Sequence, residues 1–194
     1  MMNIGLAKHL KDTREDLASL ILKISEISIM ISDGIAYRRG RADTKNVFEE
    51  YQTALDVWAD RLFIEELTRS GLVKAIASEE QHSLVKINED SALNVVVDPV
   101  DGSSNIRSNN LVATIASIYE VDLPAKGRSQ VAAMYVLYGP VTSLVYTAGR
   151  GVHEFFRTKE GFDLSREYVK LPEPGVLYGI GGLRKDWLPP LRKF

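Results

Sequence analysis

Apolar positions in the N-terminal part of the chain recur at spacings of three and four residues, which is the period of an amphipathic helix. The first run extends from Thr13 to about Ser32, and its opening letters TRED resemble a capping box. The second run extends from about Val47 to Ser70 and stops at Gly71, a residue typical of helix C-termini. The pattern therefore predicts two helices. The apolar residues expected on the buried side of the second helix include Tyr51, Leu55, Trp58 and Leu62.

After Gly71 the apolar pattern becomes extended. The runs that predict strands are LVKAIA, LNVVV, LVATIASIYEV, QVAAMYVLY and TSLVYTA. Helices followed by a succession of strands are typical of an α+β fold, so we expect the two N-terminal helices to pack on one face of a mixed, largely antiparallel sheet. The segment RRGRADTKN, residues 38–46, has turn residues and no periodicity, and it is expected to be a mobile, solvated loop.

The composition is that of an ordinary globular protein, because 45% of the 194 residues are apolar, and we expect a single domain over residues 1–194. The 24 Lys and Arg residues nearly balance the 26 Asp and Glu residues, so neither nucleic acid nor a membrane is an expected partner. The chain has no cysteine, which excludes disulfides and thiolate chemistry. With no apolar signal-peptide core at its N-terminus, the protein is expected to be soluble and cytoplasmic.

Carboxylates follow two of the predicted strands. The letters AIASEE deliver Glu79 and Glu80, and VVVDPVDG delivers Asp98 and Asp101. Clustered carboxylates repel one another unless a cation lies among them, and oxygen ligands without His or Cys favour Mg²⁺, with Mn²⁺ as the alternative. The sequence therefore predicts a divalent metal site if the two strand ends converge.

The residues after Asp98 predict a phosphate site beside that metal. A proline at position 99 fixes the turn and leaves the carbonyl of Val100 free to coordinate. Gly102 allows a sharp backbone turn, after which the amide groups of Gly102, Ser103 and Ser104 can bind an anion. A metal beside an anion site indicates phosphoryl chemistry.

The second predicted helix adds Asp56 and Asp60, a pair of like charges at spacing i,i+4. Such a pair costs a helix about 0.2–0.5 kcal/mol unless something compensates, and a nearby metal would do so. Taken singly, this pair and the Glu-Glu turn are more often surface features, and Asp-Gly is more often an ordinary turn. The complete string DPVDGSSNI is different, because a tight turn needs only one or two of those residues.

The histidines and serines are weaker candidates for catalytic or metal-binding roles. His9, His82 and His153 have no ligand spacing and are expected to be surface residues. Ser103 and Ser104 have no histidine partner in the motif, which argues against a serine nucleophile.

The string DPVDGSSNI resembles the signature of the lithium-sensitive, metal-dependent sugar phosphatase superfamily. Its Ser-Ser-Asn-Ile ending resembles class I fructose-1,6-bisphosphatase rather than inositol monophosphatase. The segments ALDVWADRLFIEELTRSG, AIASEEQ and VAAMYVLYGPVTSLVY are similar to flanking motifs of the same family. The resemblance extends from about Asp12 to Gly182, and it implies the N-terminal half of the sugar phosphatase fold.

The resemblance also implies a metal set. Glu79, Asp98, Asp101 and the backbone carbonyl of Val100 would bind the Mg²⁺ ions, and Asp56 would be an outer ligand. Their positive charge would lower the pKa of the attacking water and stabilise the phosphoryl group.

The same resemblance implies the remaining roles. Glu80, helped by Asp60, would orient and deprotonate the attacking water, while the backbone from Asp101 through Gly102 and the two residues Ser103 and Ser104 would hold the 1-phosphate. The implied activity is hydrolysis of fructose 1,6-bisphosphate to fructose 6-phosphate in gluconeogenesis. The implied partners are a phosphosugar substrate and further copies of the chain in a homo-oligomer.

Departures from the family leave alternatives open. Arg107 replaces a usual Asp, Gly181 replaces an Asn that contacts the distal phosphate, and the tail from Leu171 is expected to lack the family's second half. An inositol-phosphate or phosphonucleotide phosphatase, or a non-catalytic metal- or phosphosugar-binding module, remain the other hypotheses, and AMP regulation is left open. We expect the chain alone to bind metal weakly, to self-associate and to turn over slowly.

Overall fold

A computed structural model of the protein describes residues 4–38, 40–49, 51–175 and 189. The α-helices in these ranges are α1 (Leu6–His9), α2 (Glu15–Gly34) and α3 (Ala54–Ser70). The strands in these ranges are β1 (Arg41–Lys45), β2 (Tyr51–Thr53), β3 (Ala75–Ser78), β4 (Val85–Lys86), β5 (Asn94–Asp101), β6 (Val112–Tyr119), β7 (Gln130–Tyr138), β8 (Ser143–Thr147), β9 (His153–Thr158) and β10 (Gly161–Arg166).

The main sheet has eight strands in the order β10-β9-β8-β7-β6-β5-β3-β4. Strands β3 and β5 pair in parallel, and the other neighbouring pairs of this sheet are antiparallel. The predicted mixed, largely antiparallel sheet is therefore confirmed. The short strand β4 and the hairpin of β9 and β10 are not among the predicted strands. The sequence of β9, HEFFRT, alternates weakly, and that of β10, GFDLSR, has only two large apolar residues.

The core lies between α2, α3 and one face of the sheet. Alternate residues of the long central strands face the helices, and those of β6 and β7 include Ala116, Ile118, Ala132, Met134 and Val136. Helix α2 buries apolar residues at helical spacing, namely Leu20, Ile21, Ile24, Ile27 and Ile31. Each such side chain stabilises the fold by roughly 1.5–3 kcal/mol when it is removed from water. The apolar faces of the helices and of the strands thus form one hydrophobic layer. The predicted packing of both helices on one face is confirmed.

The start of α3 differs from the prediction. The helix begins at Ala54 rather than Val47, because Thr53 is its N-cap. The Thr53 side chain accepts a hydrogen bond from the backbone N–H of Asp56 at 3.2 Å, and the Asp56 carboxylate accepts one from the N–H of Thr53 at 2.6 Å. This reciprocal capping box satisfies two amides that the helix itself cannot pair, and so it defines the first turn. Tyr51, predicted to be buried, precedes the cap and is 68% exposed.

The prediction of an irregular loop over residues 38–46 is wrong for Arg41–Lys45. These residues form β1, which pairs with β2 in an antiparallel two-stranded sheet. Apolar periodicity does not reveal this strand, because Ala42 is the single apolar residue in its sequence RADTK. The pairing has a consequence for the site, since it carries Asn46 and Gln52 towards the acidic residues.

The capping box predicted for TRED is also absent. Arg14 is the N-cap of α2 and makes no side-chain capping hydrogen bond. Asp16 instead accepts hydrogen bonds from the N–H of Leu17 at 2.7 Å and from the guanidinium of Arg14 at 2.5 Å. The acidic first turn therefore faces the positive end of the helix dipole without a capping hydroxyl.

None of the helices in the described ranges combines the length and the apolar character that crossing a membrane requires. Position 181 and most of the proline- and glycine-rich tail lie outside the described residues.

Helix α2 approaches α3 closely where Gly34 faces the indole of Trp58. A Cβ atom built on Gly34 would lie 2.3 Å from Cη2 of Trp58. The guanidinium of Arg38 lies 3.5 Å from the ring centroid of Trp58, and its Nη1 would lie 3.1 Å from the same Cβ atom. The two helices can therefore pack at this distance because position 34 has no side chain.

Replacing Gly34 with Ala should destabilise the protein by about 1–3 kcal/mol, although helix propensity alone favours Ala by about 1 kcal/mol. The reason is that the added methyl group would overlap the indole of Trp58 and crowd the guanidinium of Arg38, so these packed side chains would have to shift. Equilibrium urea unfolding measures the change. Gly127→Ala is the matched control, since its added Cβ meets no atom within 4 Å. A Gly34→Ala protein as stable as wild type would contradict this account of the helix packing.

Candidate active site

Strands β3 and β5 bring the predicted acidic residues to one edge of the sheet. Their parallel register pairs Ser78 with Val97, so Glu79 follows one strand beside Asp98 of the other. The N–H of Glu79 donates to the carbonyl of Val97 at 3.1 Å, which extends the pairing to the strand end. Parallel strands present their carboxyl ends at the same edge, and this is the reason that residues far apart in sequence meet here.

Strand β5 is irregular between its two acidic residues. Asp98 lies opposite Ile115 and Asp101 lies opposite Ala113, with a register shift between them. The Asp98 carboxylate accepts the N–H of Val100 at 3.1 Å and so closes a local turn. The shift turns Asp101 outwards, where it is exposed, while Val100 stays buried.

A buried hydroxyl pair supports this irregular segment from the neighbouring strands. Thr114 donates a hydrogen bond to the carbonyl of Pro99 at 2.7 Å, and its oxygen lies 2.6 Å from the hydroxyl of Tyr138. Burial raises the pKa of Tyr138 to about 12, so the phenol remains a neutral donor. Sequence reasoning missed both residues, because Thr and Tyr within a strand give no signal beyond β propensity.

Burial and like charge act together on Asp98. Burial is the largest cause that raises its pKa to about 8, followed by the hydrogen bond with Glu79 and by the charges of Glu79 and Asp101. In the absence of a cation this carboxyl therefore holds a proton near neutral pH and shares it with Glu79. Glu79 also accepts a hydrogen bond from the amide of Asn46 at 3.4 Å.

Glu80 occupies the centre of the acidic group. Burial is the largest cause that raises its pKa to about 7, and the charges of Asp56, Glu79 and Asp60 contribute to the same rise. The side-chain amide of Gln52 donates to its carboxylate at 2.5 Å and partly offsets these effects. A carboxyl with a pKa near 7 exchanges its proton readily at physiological pH, as a general base must.

Asp60 is buried and held by two donors. The hydroxyl of Ser78 donates to one of its carboxylate oxygens at 2.6 Å, and the side-chain amide of Gln81 donates to the other. The Ser78 oxygen in turn accepts the N–H of Glu80 at 3.2 Å. Asp60 therefore positions the Glu-Glu turn through Ser78.

Asp56 connects helix α3 to Ser103, one of the residues predicted to bind phosphate. It is 4% exposed, and its Oδ2 accepts hydrogen bonds from the N–H of Thr53 and, at 3.0 Å, from the hydroxyl of Ser103. Its other oxygen, Oδ1, is buried and has no hydrogen-bond partner. A buried carboxylate oxygen without a partner is costly, and a bound cation is one of the groups that can satisfy it.

The segment after β5 turns as the sequence predicts. Gly102 has φ of +73° and precedes a 3₁₀ helix, Ser103–Ser108. Since the amides at the start of such a helix have no acceptor within it, those of Ser103 and Ser104 are available to an anion. A residue other than glycine at position 102 would have a strained backbone, and its Cβ would lie 3.0 Å from the side-chain nitrogen Nδ2 of Asn105. Ser104 is exposed, so this part of the site is open to solvent.

The described acidic residues suit a hard divalent cation on two independent grounds. Asp56 carries a buried carboxylate oxygen without a partner, and Asp98 and Glu80 have pKa values raised by burial and mutual repulsion. A cation among them would coordinate the unpartnered oxygen of Asp56 and would reduce the repulsion that raises the pKa values of Asp98 and Glu80. Among the predicted ligands, Glu79 and Asp98 share a hydrogen bond, and Asp101 interacts with Asp98 through its charge.

The prediction that His9 and His153 are surface residues is wrong. His153 is 5% exposed, and the two imidazole rings lie 4.5 Å apart between their centroids. They meet because α1 packs against the β9–β10 edge of the sheet, a contact between residues distant in sequence that no local spacing reveals. His82 is exposed, as expected.

Three residues that hold the acidic group were missed at the sequence level. They are the amide side chains Asn46, Gln52 and Gln81. Gln81 follows the Glu-Glu pair directly, and that adjacency was an available signal. Asn46 and Gln52 reach the site only through the β1–β2 pairing, for which the sequence offers no periodic signal.

Comparison with known proteins identifies close similarity. The family model described as "Fructose-1-6-bisphosphatase, N-terminal domain" matches residues 2–166. A class 1 fructose-1,6-bisphosphatase of Geobacter sulfurreducens is 44% identical over 198 aligned positions, covering 98% of this chain and 63% of that protein. One of Methanocorpusculum labreanum is 41% identical, covering 89% of this chain and 54% of that protein. The chain thus spans less than two thirds of the length of these relatives.

The fold agrees with the sequence comparison. The crystal structure of the Leishmania major fructose-1,6-bisphosphatase in its holo form superposes with a TM-score of 0.89. The alignment covers 100% of this chain and 68% of that chain at 24% identity, a level at which the likeness establishes the fold.

In the presence of a chelator, the free energy of unfolding should fall as the pH is raised from about 5 to about 8. The folded-state pKa values of Glu80 and Asp98, about 7 and about 8, lie above the values these groups have in the unfolded chain. The folded state therefore binds more protons in this window, and the stabilising contribution is fully present below the unfolded pKa values and lost as the pH rises through the folded ones.

Urea unfolding at a series of pH values measures this dependence. Asp98→Asn should flatten it, because the amide does not titrate, whereas Asp90→Asn changes an exposed acid elsewhere and should leave the slope unchanged. Equal slopes in wild type and Asp98→Asn would contradict the raised pKa of Asp98.

Proposed function

Since the chain belongs to the fructose-1,6-bisphosphatase family, we propose that its carboxylate site hydrolyses the 1-phosphate of fructose 1,6-bisphosphate to give fructose 6-phosphate. The observation that carries the proposal is the buried acidic group at the ends of β3 and β5, beside the glycine turn of DPVDGSSNI. Six acidic residues and an open anion site in one place suit phosphoryl transfer better than simple sugar binding.

We propose Mg²⁺ as the metal, with Mn²⁺ able to replace it. Glu79, Asp98, Asp101 and the carbonyl of Val100 would hold the ions, and Asp56 would contribute its unpartnered Oδ1. The all-oxygen donor set favours these hard cations. When bound, the metal supplies charge that stabilises the phosphoryl oxygens and lowers the pKa of a water molecule.

Glu80 is the proposed general base. Its pKa of about 7 leaves a large fraction ionised at neutral pH, and Gln52 fixes the orientation of its carboxylate. Asp60 acts on the same residue indirectly, because it holds Ser78, whose oxygen accepts the N–H of Glu80. A substitution at Asp60 should therefore affect the orientation of the base rather than remove it.

The 1-phosphate is proposed to bind at the start of the 3₁₀ helix. The backbone from Asp101 through Gly102, together with the amides and hydroxyls of Ser103 and Ser104, offers donors to phosphate oxygens. Ser103 already donates its hydroxyl to Asp56, which links the phosphate position to the proposed metal ligands. This link suits an in-line reaction, in which the phosphate and the cation must be held together.

The remaining features of the proposal follow from the family rather than from the site. They are gluconeogenesis as the pathway, the cytoplasm as the compartment and a homo-oligomeric assembly.

An exposed apolar stripe on the sheet face away from the helices supports self-association. Ile115 and Tyr135, which are cross-strand neighbours, are each 44% exposed there, and Phe156 is 40% exposed. Exposed apolar surface of this kind is typical of an interface.

Asp98→Asn should abolish Mg²⁺-dependent phosphate release from fructose 1,6-bisphosphate, with less than about a tenth of wild-type activity remaining. Because the chain spans 63% of the Geobacter relative, the assay joins it to the part of that relative it does not span. Asp90→Asn is the matched control and should retain full activity. Activity of Asp98→Asn equal to wild type would exclude the proposed role.

The substrate is tested in the same assay. Preference for inositol monophosphate over fructose 1,6-bisphosphate would contradict the proposed substrate while preserving the site. The chain without the added part is expected to turn over far more slowly, because binding energy remote from the reacting phosphate helps to hold the geometry there.

Added Mg²⁺ or Mn²⁺ should raise the melting temperature of the chain, and more at neutral than at acidic pH. The cation binds the ionised carboxylates of the folded state, and protons compete with it as the pH falls. Differential scanning calorimetry with and without Mg²⁺ measures the shift. Asp98→Asn should reduce the shift, and a wild-type melting curve indifferent to millimolar Mg²⁺ would contradict a metal site.

A further inference from the structure

A second group of side chains that could bind a metal lies at the other end of the strand order, on the β9–β10 edge, far from the carboxylate site. It consists of His9 from α1, His153 at the start of β9 and Glu167 just after β10. Strands β6, β7 and β8 separate β9 from β5, and four interstrand spacings amount to about 19 Å. The group is therefore distinct from the proposed phosphatase site.

The hydrogen bonds of His153 leave one of its nitrogens unpaired. Its Nε2 lies 3.2 Å from the backbone carbonyl of Arg150, and because a carbonyl only accepts, this nitrogen carries the proton. In the neutral ring Nδ1 then presents a lone pair. That atom is buried and has no hydrogen-bond partner, in a side chain that is 5% exposed. An unpartnered, buried imidazole lone pair is costly unless a proton or a metal binds it.

His9 is oriented in a similar way. Its Nδ1 lies 2.6 Å from the hydroxyl of Tyr146, and its Nε2 lies 3.0 Å from the carboxylate of Glu167. Burial, followed by the charge of Glu167, raises the pKa of Tyr146 to about 12, so the hydroxyl stays neutral and can accept from Nδ1. The contact between Nε2 and Glu167 is a hydrogen bond in which Nε2–H donates to the carboxylate. A cation that displaced this proton would bind both atoms, with the ring proton then on Nδ1, facing the Tyr146 oxygen.

We propose that His9, His153 and Glu167 form a binding site for a divalent transition-metal cation of the Zn²⁺ type. One ligand atom from each residue lies within 4.8 Å of those of the other two. Two imidazoles and one carboxylate form a donor set that suits Zn²⁺ and Co²⁺ and that Mg²⁺ disfavours. The Arg150 carbonyl and the Tyr146 hydroxyl bind the other ring nitrogens, as the partners of metal-ligating histidines usually do.

A cavity of about 470 Å³ gives a cation access to this group, since His9, His153 and Glu167 all line it. Lys8, Lys11, Arg14 and Arg150 line the same cavity, while Asp12 adds one negative charge beside that of Glu167. Arg14 is paired with Asp16 and Glu120, which offsets its charge. The net surroundings are nevertheless positive, so binding should be weaker than in a site with the same ligands and no nearby cations.

A bound cation would link parts of the chain that are far apart in sequence. Helix α1 carries His9, and the edge strands β9 and β10 place His153 and Glu167. These elements already touch through α1 and β10 and through the bridge between Gly5 and Asp163. The metal would therefore stabilise the N-terminal segment against the edge of the sheet.

Titration of the purified chain with Co²⁺ tests the proposal, because Co²⁺ reports tetrahedral imidazole coordination by its visible absorption. Excess Mg²⁺ and an Asp98→Asn background keep the carboxylate site out of the measurement. We expect saturable binding of a single equivalent, displaced by Zn²⁺. Both His153→Gln and Glu167→Gln should weaken it by roughly tenfold or more. His82→Gln, which changes an exposed histidine elsewhere, is the matched control and should bind like the parent protein.

The result is decisive in either direction. Equal Co²⁺ affinity in the parent, His153→Gln and Glu167→Gln proteins, or no saturable binding at all, would overturn the proposal. The Glu167 side chain is 47% exposed, so Glu167→Gln is expected to fold even if His153→Gln does not, and circular dichroism checks both. Because the readout involves no phosphatase activity, failure of this site and failure of the proposed phosphatase function are distinguishable.

Discussion

Repulsion between crowded, partly buried carboxylates is the constraint around which the β3–β5 end of the sheet is organised. The parallel pairing of β3 and β5 brings Glu79 beside Asp98, and burial then makes their charges expensive. Neighbouring side chains reduce the cost of burying these charges by donating hydrogen bonds to the carboxylates. The side-chain amides of Asn46, Gln52 and Gln81 supply such donors, one each to Glu79, Glu80 and Asp60. These hydrogen bonds do not neutralise the negative charge of the carboxylates, whereas a bound divalent cation would neutralise it.

The same constraint reaches into the fold through Asp56. This residue caps α3 together with Thr53 and also accepts the hydroxyl of Ser103, yet one of its oxygens stays buried without a partner. Helix formation and site formation thus share one side chain. A cap substitution at Thr53 would therefore disturb the site as well as the helix, since the cap holds the Asp56 carboxylate in place.

The two ends of the sheet are suited to different cations. Carboxylates without imidazoles gather at β3 and β5, whereas His9 and His153 with a carboxylate from Glu167 gather at β9 and β10. Hard and borderline metals would accordingly separate between them by ligand chemistry rather than by affinity alone. Strands β6, β7 and β8 lie between them and keep the two groups apart.

By itself, the sequence determined the helical and extended periods and the α+β class that follows from them. It also determined the string DPVDGSSNI, with its turn at Gly102, because local geometry there depends on neighbouring residues. Only the tertiary structure decided where α3 begins, that Arg41–Lys45 pairs with β2, and that His9 meets His153. Each of these depends on burial and on contacts between residues distant in the chain. A period of two or 3.6 residues describes which face of an element is apolar, but not which other element that face will meet.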